Sequence, residues 1–146
     1  MGLVSCSKFV EFTDFYVAFD TSSSSSTAVN CKGNTTGEYV VRLCSTIPDE
    51  AITVTFSVTP GNGLAEGTDY VVESPSTYDK ATRTGTLKFL PGIWTAKIGI
   101  RWIAGEIDEE KDNTVTIRLE NASTDIGLGY PGPDEKNREY TIRKFK

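Results

Sequence analysis

The stretch that decides the fold reads ITVTFSV and covers residues 52–58. Its apolar side chains, Ile52, Val54, Phe56 and Val58, occupy every second position, and hydroxyl-bearing residues fill the positions between them. Successive side chains of an extended chain point to opposite sides, so this alternation predicts a strand with one buried and one solvated face. Strands of this kind are typical of antiparallel sheets that pack on a core from one side.

Two further stretches, residues 96–104 and residues 113–120, alternate in the same way. Their predicted core positions are Ile98, Ile100, Trp102, Val115, Ile117 and Leu119. Weaker strand candidates are residues 8–19, 38–45, 69–73, 84–90 and 138–145. Turns rich in glycine and proline separate many of them, and the sequence shows no apolar repeat of helical period. We therefore expect an all-β fold, a seven- to eight-stranded antiparallel immunoglobulin-like β-sandwich.

The composition supports this fold class and a single domain. The 146 residues include 19 Thr and 11 Val against 7 Leu and 8 Ala, and β-branched side chains favour a pleated surface. No apolar run is long enough to span a membrane as a helix. We expect residues 1–8 to be a lipobox remnant and tether and residues 9–146 to be one sandwich domain. The serine run at residues 22–26 is expected to be a flexible loop.

Charge and residue types exclude several function classes. The chain carries 15 basic and 20 acidic residues, a net charge of −5, whereas nucleic-acid binding needs a basic face. It contains no histidine, which removes imidazole-based catalytic triads and histidine zinc sites. Scattered carboxylates without the signature of a deep cleft do not favour a glycosidase. We therefore expect a binding or structural module, with no enzymatic activity and no nucleic-acid partner.

The first cysteine bears on localisation. The tetrapeptide LVSC at residues 3–6 resembles a bacterial lipobox, where signal peptidase leaves a diacylated cysteine as the new N-terminus. This interpretation predicts export through the Sec pathway and an outer-membrane lipoprotein in the cell envelope, attached to the membrane through Cys6. The alternative is an ordinary chain start that carries no lipid.

The other two cysteines, Cys31 and Cys44, leave two alternatives open. They form a disulfide in an oxidising compartment, or they remain two separate thiols. In the predicted strand at residues 38–45, Cys44 shares a face with Val40 and Arg42, opposite the predicted core.

Several motifs follow one another in order from residue 39 onward. They are PGNG at 60–63, LAEGTDY at 64–70, FLPG at 89–92, the strand at 98–103, the acidic loop at 106–112 and LEN at 119–121. In this order and spacing the chain resembles the Calx-β domain family, over residues 28–145. It is also similar to Calx-β-like lipoproteins of anaerobic gut Gram-negative bacteria, through GLGYPG at 127–132. The resemblance implies a seven-stranded antiparallel sandwich.

In calcium-sensing members of this family, acidic side chains bind calcium at one end of the sandwich. The resemblance carries ligand roles to Asp69, Glu106 and Glu110, and Asp108 and Asp112 are neighbouring acids that would add oxygens. Because Ca²⁺ takes about six to eight oxygen ligands, these few carboxylates predict weak binding at best. No other cofactor is expected.

The chain also departs from the family pattern. Ala104, Gly105 and Asn113 stand where acidic residues would continue the calcium site. The alternative interpretation is that the loop at residues 106–112 is a solvated, comparatively mobile acidic hairpin. In the same alternative, Asp69 caps its own turn through the backbone.

Aromatic side chains offer a second candidate site. Trp102 is in phase with the predicted core, whereas Trp94 follows a Pro-Gly turn out of phase. An exposed Trp94 beside Tyr78 or Tyr130 would stack on a sugar ring, since a flat apolar face suits pyranose CH groups. The alternative is that Trp94 folds over an edge of the sandwich.

These observations lead to one functional expectation and one alternative. We expect a non-catalytic, lipid-anchored cell-surface module for adhesion, scaffolding or glycan capture, with a glycan or a surface protein as its partner. The alternative is a weak calcium-binding Calx-β module.

Overall fold

The computed structural model describes residues 15–146, which form two five-stranded sheets and contain no helix. The strands are β1 Tyr16–Phe19, β2 Ala28–Asn30, β3 Thr35–Cys44, β4 Ile52–Pro60, β5 Tyr70–Ser74, β6 Thr84–Phe89, β7 Thr95–Trp102, β8 Thr114–Ala122, β9 Gly127–Leu128 and β10 Glu139–Phe145. The all-β class predicted from the sequence is confirmed.

The strand order is β5-β7-β3-β1-β9 in the first sheet and β2-β10-β8-β4-β6 in the second. Neighbouring strands run antiparallel except at one edge of each sheet. There, β9 runs parallel to β1, and β2 runs parallel to β10. The prediction of a purely antiparallel sandwich is therefore corrected at these two edges.

Each stretch predicted as a strand contains one, although part of the candidate at residues 8–19 lies outside the described residues. The ten strands exceed the expected seven to eight because β2 and β9 are additional. These two strands are three and two residues long. Stretches this short show no alternation of apolar and polar residues in the sequence. They are recognised as strands only through their pairing with a distant strand.

The predicted core is confirmed. The apolar positions of the three alternating stretches are at most 5% exposed, and side chains from both sheets form one hydrophobic cluster. Within it, the indole Nε1 of Trp102 donates a hydrogen bond to the Tyr39 hydroxyl at 3.0 Å. Burial raises the pKa of Tyr39 to about 12. The two sheets therefore pack face to face as a β-sandwich around this cluster.

The second face of β3 differs from the prediction. Val40 and Cys44 are buried there, although the sequence placed them on the solvated face. The serine run lies beside this strand, because the amide of Val40 donates to the Ser24 hydroxyl at 2.8 Å. Arg42 pairs with Asp20 at 2.8 Å on the same side. The run at residues 22–26 is therefore a loop tied to β3 by hydrogen bonds.

One end of the sandwich, the acidic-loop end, gathers the loops at residues 61–69 and 103–113. The amide of Gly63 donates to the carbonyl of Asp112 at 2.8 Å, which joins the two loops. The last strand also ends here, because Arg143 of β10 lies opposite Thr114 of β8. This end holds the residues that the resemblance proposes as calcium ligands.

Candidate functional site

At the acidic-loop end, Asp69 caps its own turn. Its carboxylate Oδ2 accepts a hydrogen bond from the amide of Ala65 at 2.8 Å. The amide of Asp69 donates to the carbonyl of Ala65 at 2.9 Å, which closes the same turn. The geometry matches the turn-capping alternative, and this use of the carboxylate leaves it less available to a metal ion.

A buried cation already contacts Asp69. The side chain of Lys144 is 0% exposed, and its Nζ lies 3.7 Å from Oδ1 of Asp69. The same ammonium donates to the backbone carbonyls of Ile103 and Asp69. A buried charge needs such partners because leaving water is costly. Sequence analysis missed Lys144, although alternation in β10 places it in phase with Tyr140 and Ile142.

The acidic loop is solvated, as expected. Glu106, Asp108, Glu110 and Asp112 are all exposed. Asp108 accepts a hydrogen bond from the amide of Glu110 at 3.0 Å, and Asp112 accepts one from the hydroxyl of Thr114 at 2.6 Å. Within residues 15–146, no group of three or more acidic, histidine or cysteine side chains is placed to hold a metal ion. The five calcium candidates therefore do not converge on one point.

The three aromatic candidates lie in different surroundings. Trp94 is partly buried against the core cluster, and its carbonyl accepts a hydrogen bond from the amide of Leu43. Tyr78 is also partly buried, and it stacks on Phe56 with ring centroids 6.2 Å apart. Tyr130 is 40% exposed. The shared platform of Trp94 with Tyr78 or Tyr130 stays a prediction, and the Tyr78 ring packs with one face on the core.

The hydroxyl of Tyr78 is used internally as well. It donates to Oε1 of Glu66 at 2.8 Å. Burial, together with this hydrogen bond and the charge of Glu66, raises the pKa of Tyr78 far above its usual value. The hydroxyl and one face of the Tyr78 ring are therefore used within the sandwich.

Tyr130 stands over a groove. Its ring packs edge-on against Tyr16 of β1, with ring centroids 5.3 Å apart and an interplanar angle of 88°. The groove has a volume of about 430 Å³ and is lined by Tyr16, Ile126, Leu128 and Tyr130, with the carboxylates of Asp125 and Glu135. Burial is the main cause that raises the pKa of Tyr16. We call this feature the Tyr130 groove.

The loop at residues 129–137, the Tyr130 loop, is held at both ends. Near its start, the amide of Gly129 donates to the carbonyl of Val17 at 2.7 Å. At its end, the amide of Phe19 donates to the carbonyl of Asn137 at 2.8 Å. The amide of Tyr130 itself donates across the loop, to the carbonyl of Lys136, at 2.7 Å. These bonds fix the backbone that carries the Tyr130 ring.

Gly129 has a conformation that side chains rarely adopt. Its φ is +89°, and a Cβ at this position would lie 2.5 Å from the carbonyl oxygen of Glu135. Glycine is therefore required for the loop to close on itself. The glycine-rich motif at residues 127–132 was a sequence signal for this turn, but Tyr16, Asp125 and Glu135 were not predicted as members of a site.

The arrangement is suited to a polar ligand that has an apolar face. A half-exposed aromatic ring supplies a flat surface, Ile126 and Leu128 supply apolar contacts, and two carboxylates accept hydrogen bonds. Ligand sites in proteins combine apolar walls with a few placed polar groups in this way.

The cysteine predictions have different outcomes. Cys6, the proposed lipidation site, lies outside the described residues. Cys31 is a buried free thiol and Cys44 is disulfide-bonded, so these two cysteines do not pair with each other.

A helix long and apolar enough to cross a membrane does not occur in the described part of the chain. No protein-family model matches the sequence, and no curated protein matches it with significant similarity. The resemblance to the Calx-β family therefore stays a prediction.

Proposed function

We propose that this chain is a non-catalytic cell-surface module that captures glycans in the Tyr130 groove, on an immunoglobulin-like sandwich of the Calx-β type. The observation that carries the proposal is the exposed ring of Tyr130, fixed edge-on against Tyr16 beside two carboxylates. A pyranose ring has one face of CH groups and a rim of hydroxyls. The CH face stacks on the aromatic ring, and the hydroxyls donate hydrogen bonds to the carboxylates.

The Tyr130 ring is well suited to hold a ligand because its position is fixed before binding. The Tyr130 loop is bonded to β1 at both ends, and Tyr16 supports the ring from one side. A ring that is already ordered loses little conformational entropy when a ligand binds. Preorganisation of this kind supports specific binding by a shallow groove.

A second groove, of about 500 Å³, lies at the acidic-loop end but favours a ligand less. Its lining carries four basic side chains, Lys111, Arg143, Lys144 and Lys146, against two acidic ones, Glu109 and Asp112, so its charged side chains are mostly basic. Its lining contains no Tyr or Trp ring, and Phe145 is its only aromatic member. The larger volume alone therefore does not make it the better candidate.

The calcium alternative has less support than glycan capture. Lys144 already brings a positive charge to Asp69, and Asp69 also caps its turn. A Ca²⁺ ion at this point would have to compete with a buried ammonium group. We therefore do not assign a calcium-dependent function to the acidic-loop end.

We also propose export to the cell envelope. The disulfide at Cys44 supports this, because disulfides persist in oxidising compartments. Anchoring through a lipid on Cys6 is also part of the proposal. It competes with a disulfide at the same sulfur, because Cys44 needs a disulfide partner and Cys31 is a free thiol. One sulfur atom carries either the lipid or a disulfide.

Mass spectrometry of the protein from its native cells decides the anchor. Lipid anchoring requires a chain that begins at Cys6 with a diacylglyceryl group on its sulfur, and a Cys44 whose disulfide partner is not Cys6. A Cys6 found inside a longer chain, unmodified or in a disulfide with Cys44, would refute lipid anchoring while leaving glycan capture intact.

Glycan capture is tested on a printed glycan array with the wild-type chain and two variants of Tyr130. Tyr130→Phe keeps the ring and should keep binding, whereas Tyr130→Ala should weaken it at least about tenfold. Phe145→Ala removes another exposed aromatic, at the acidic-loop end, and serves as the control. Array binding that Tyr130→Ala leaves unchanged, or no binding at all, would overturn the proposed function.

A further inference from the structure

The charged side chains that line the Tyr130 groove are all acidic. Asp125 and Glu135 are both exposed at its edge, and no lysine or arginine is among its described lining residues. The whole chain also carries a net charge of −5. The sign of the electrostatic field at the groove therefore depends on which of the two carboxylates is already paired with a basic side chain.

Arg138 neutralises Glu135. Its Nη1 donates to both carboxylate oxygens of Glu135, at 3.0 Å and 3.1 Å. Its Nε donates to the carbonyl of Leu119, which fixes the guanidinium in place. Arg42, whose charge acts on Tyr16, pairs with Asp20 at 2.8 Å. Both of these guanidinium groups are thus occupied, and Lys136, the exposed lysine of the Tyr130 loop, is not among the residues that line the groove.

Asp125 takes part in none of the ion pairs formed among the described residues. Its carboxylate is exposed at the groove edge and leaves the site with a net negative charge. A carboxylate accepts hydrogen bonds from hydroxyl, amide and ammonium groups, and it repels sulfate and carboxylate groups.

From this charge distribution we propose that the Tyr130 groove selects glycans without acidic groups and rejects their sialylated or sulfated forms, with Asp125 as the residue that sets the preference. The inference rests on the proposed function, since it names the ligand class of the same groove. Exposed charges are screened by salt over about 8 Å at physiological ionic strength. We therefore expect a preference of about three- to tenfold, which weakens as salt is added.

The test uses an array on which each neutral glycan is printed beside its own sialylated and sulfated forms. The wild-type chain should bind the neutral member of each pair more strongly. Asp125→Asn should reduce the difference in binding between the neutral and acidic members of each pair. The variant should still bind the neutral member. Asp49→Asn makes the same charge change at an exposed position outside the groove, and it should leave the difference as it is.

The outcomes separate the two proposals. Binding to neutral and acidic forms alike, or a preference that Asp125→Asn leaves unchanged, would overturn the charge selection and leave glycan capture standing. Absence of binding to every printed glycan would overturn both.

Discussion

The ammonium group of Lys144 lies 3.7 Å from the carboxylate of Asp69, inside the end of the sandwich where the resemblance to Calx-β domains places calcium. The lysine side chain is 0% exposed, and the backbone carbonyls of Ile103 and Asp69 complete its surroundings. The last strand thus contributes its own positive charge to a cluster of oxygens. The charge balance at the acidic-loop end therefore depends on a lysine of this same chain.

Replacing Lys144 should therefore destabilise the fold. Lys144→Met keeps much of the side-chain volume but leaves two carbonyls without their donor and the Asp69 carboxylate without its cation. We expect a loss of about 2–4 kcal/mol in the free energy of unfolding, measured by chemical denaturation.

The control is Lys146→Met, which removes an exposed lysine two residues away and should change stability by less than about 0.5 kcal/mol. Equal stability of the Lys144→Met variant and the wild type would show that the buried ammonium has no net stabilising role.

Gly129 offers a test of the Tyr130 loop. Gly129→Ala would place a Cβ 2.5 Å from the carbonyl oxygen of Glu135 and force a positive φ on alanine. We expect a loss of about 1–3 kcal/mol together with weaker glycan binding, because the Tyr130 ring loses its fixed position. Gly105→Ala has open space around the added Cβ and is the matched control. Unchanged binding by Gly129→Ala would mean that the loop conformation does not position the ring.

Asp20 should make stability depend on pH in the acid range. The hydrogen bond from Ser22, aided by Arg42, lowers the pKa of Asp20 from 3.8 to about 2. The folded state favours the ionised carboxylate of Asp20. The contribution of this carboxylate to the stability of the fold is therefore complete above the unfolded pKa of about 4. It is lost as the pH falls from about 4 to about 2.

The wild type should therefore exceed Asp20→Asn in stability at neutral pH, and this excess should shrink as the pH falls through that range. Thermal unfolding of both proteins at several pH values measures the difference. Ser22→Ala, which removes the main hydrogen bond, should show a weaker pH dependence. A stability difference between wild type and Asp20→Asn that stays constant down to acid pH would argue against this coupling.

Two buried tyrosines should respond differently to removal of the hydroxyl group. The Tyr70 hydroxyl is buried without a hydrogen-bond partner among the described residues, whereas the Tyr39 hydroxyl accepts a hydrogen bond from Trp102. Tyr70→Phe should be neutral or slightly stabilising, and Tyr39→Phe should cost about 1–3 kcal/mol because the indole N–H loses its acceptor. Urea unfolding of both variants measures this, and the reverse order would contradict the hydrogen-bond assignment.

The strands could be predicted where apolar and polar residues alternate within one short stretch of the sequence. The stretch at residues 52–58 and its two counterparts show their buried face directly in the sequence, and the structure buries those positions. The burial of Val40 and Cys44 on the second face of β3 was not predictable from the alternation of that strand. Strand alternation cannot show what packs on the other face.

The candidate site was predictable only in part. Tyr130 was identified as a ligand-stacking residue, but its partner Tyr16 lies more than a hundred residues earlier, and only the parallel pairing of β1 with β9 brings them together. Tyr78 was grouped with Tyr130 by chemistry, whereas the structure stacks its ring on Phe56. Sequence distance contains no information about such non-local pairings.

The most direct test of glycan capture in the Tyr130 groove is a ¹⁵N–¹H correlation spectrum recorded during titration with the neutral glycan that gives the strongest array signal. We predict that amide shifts move in the Tyr130 loop and at residues 125–128, and that amides of the acidic loop at 106–112 stay in place. The same titration of Tyr130→Ala should leave the spectrum nearly unchanged. Shifts that cluster on the acidic loop, or that persist in Tyr130→Ala, would contradict the proposed site.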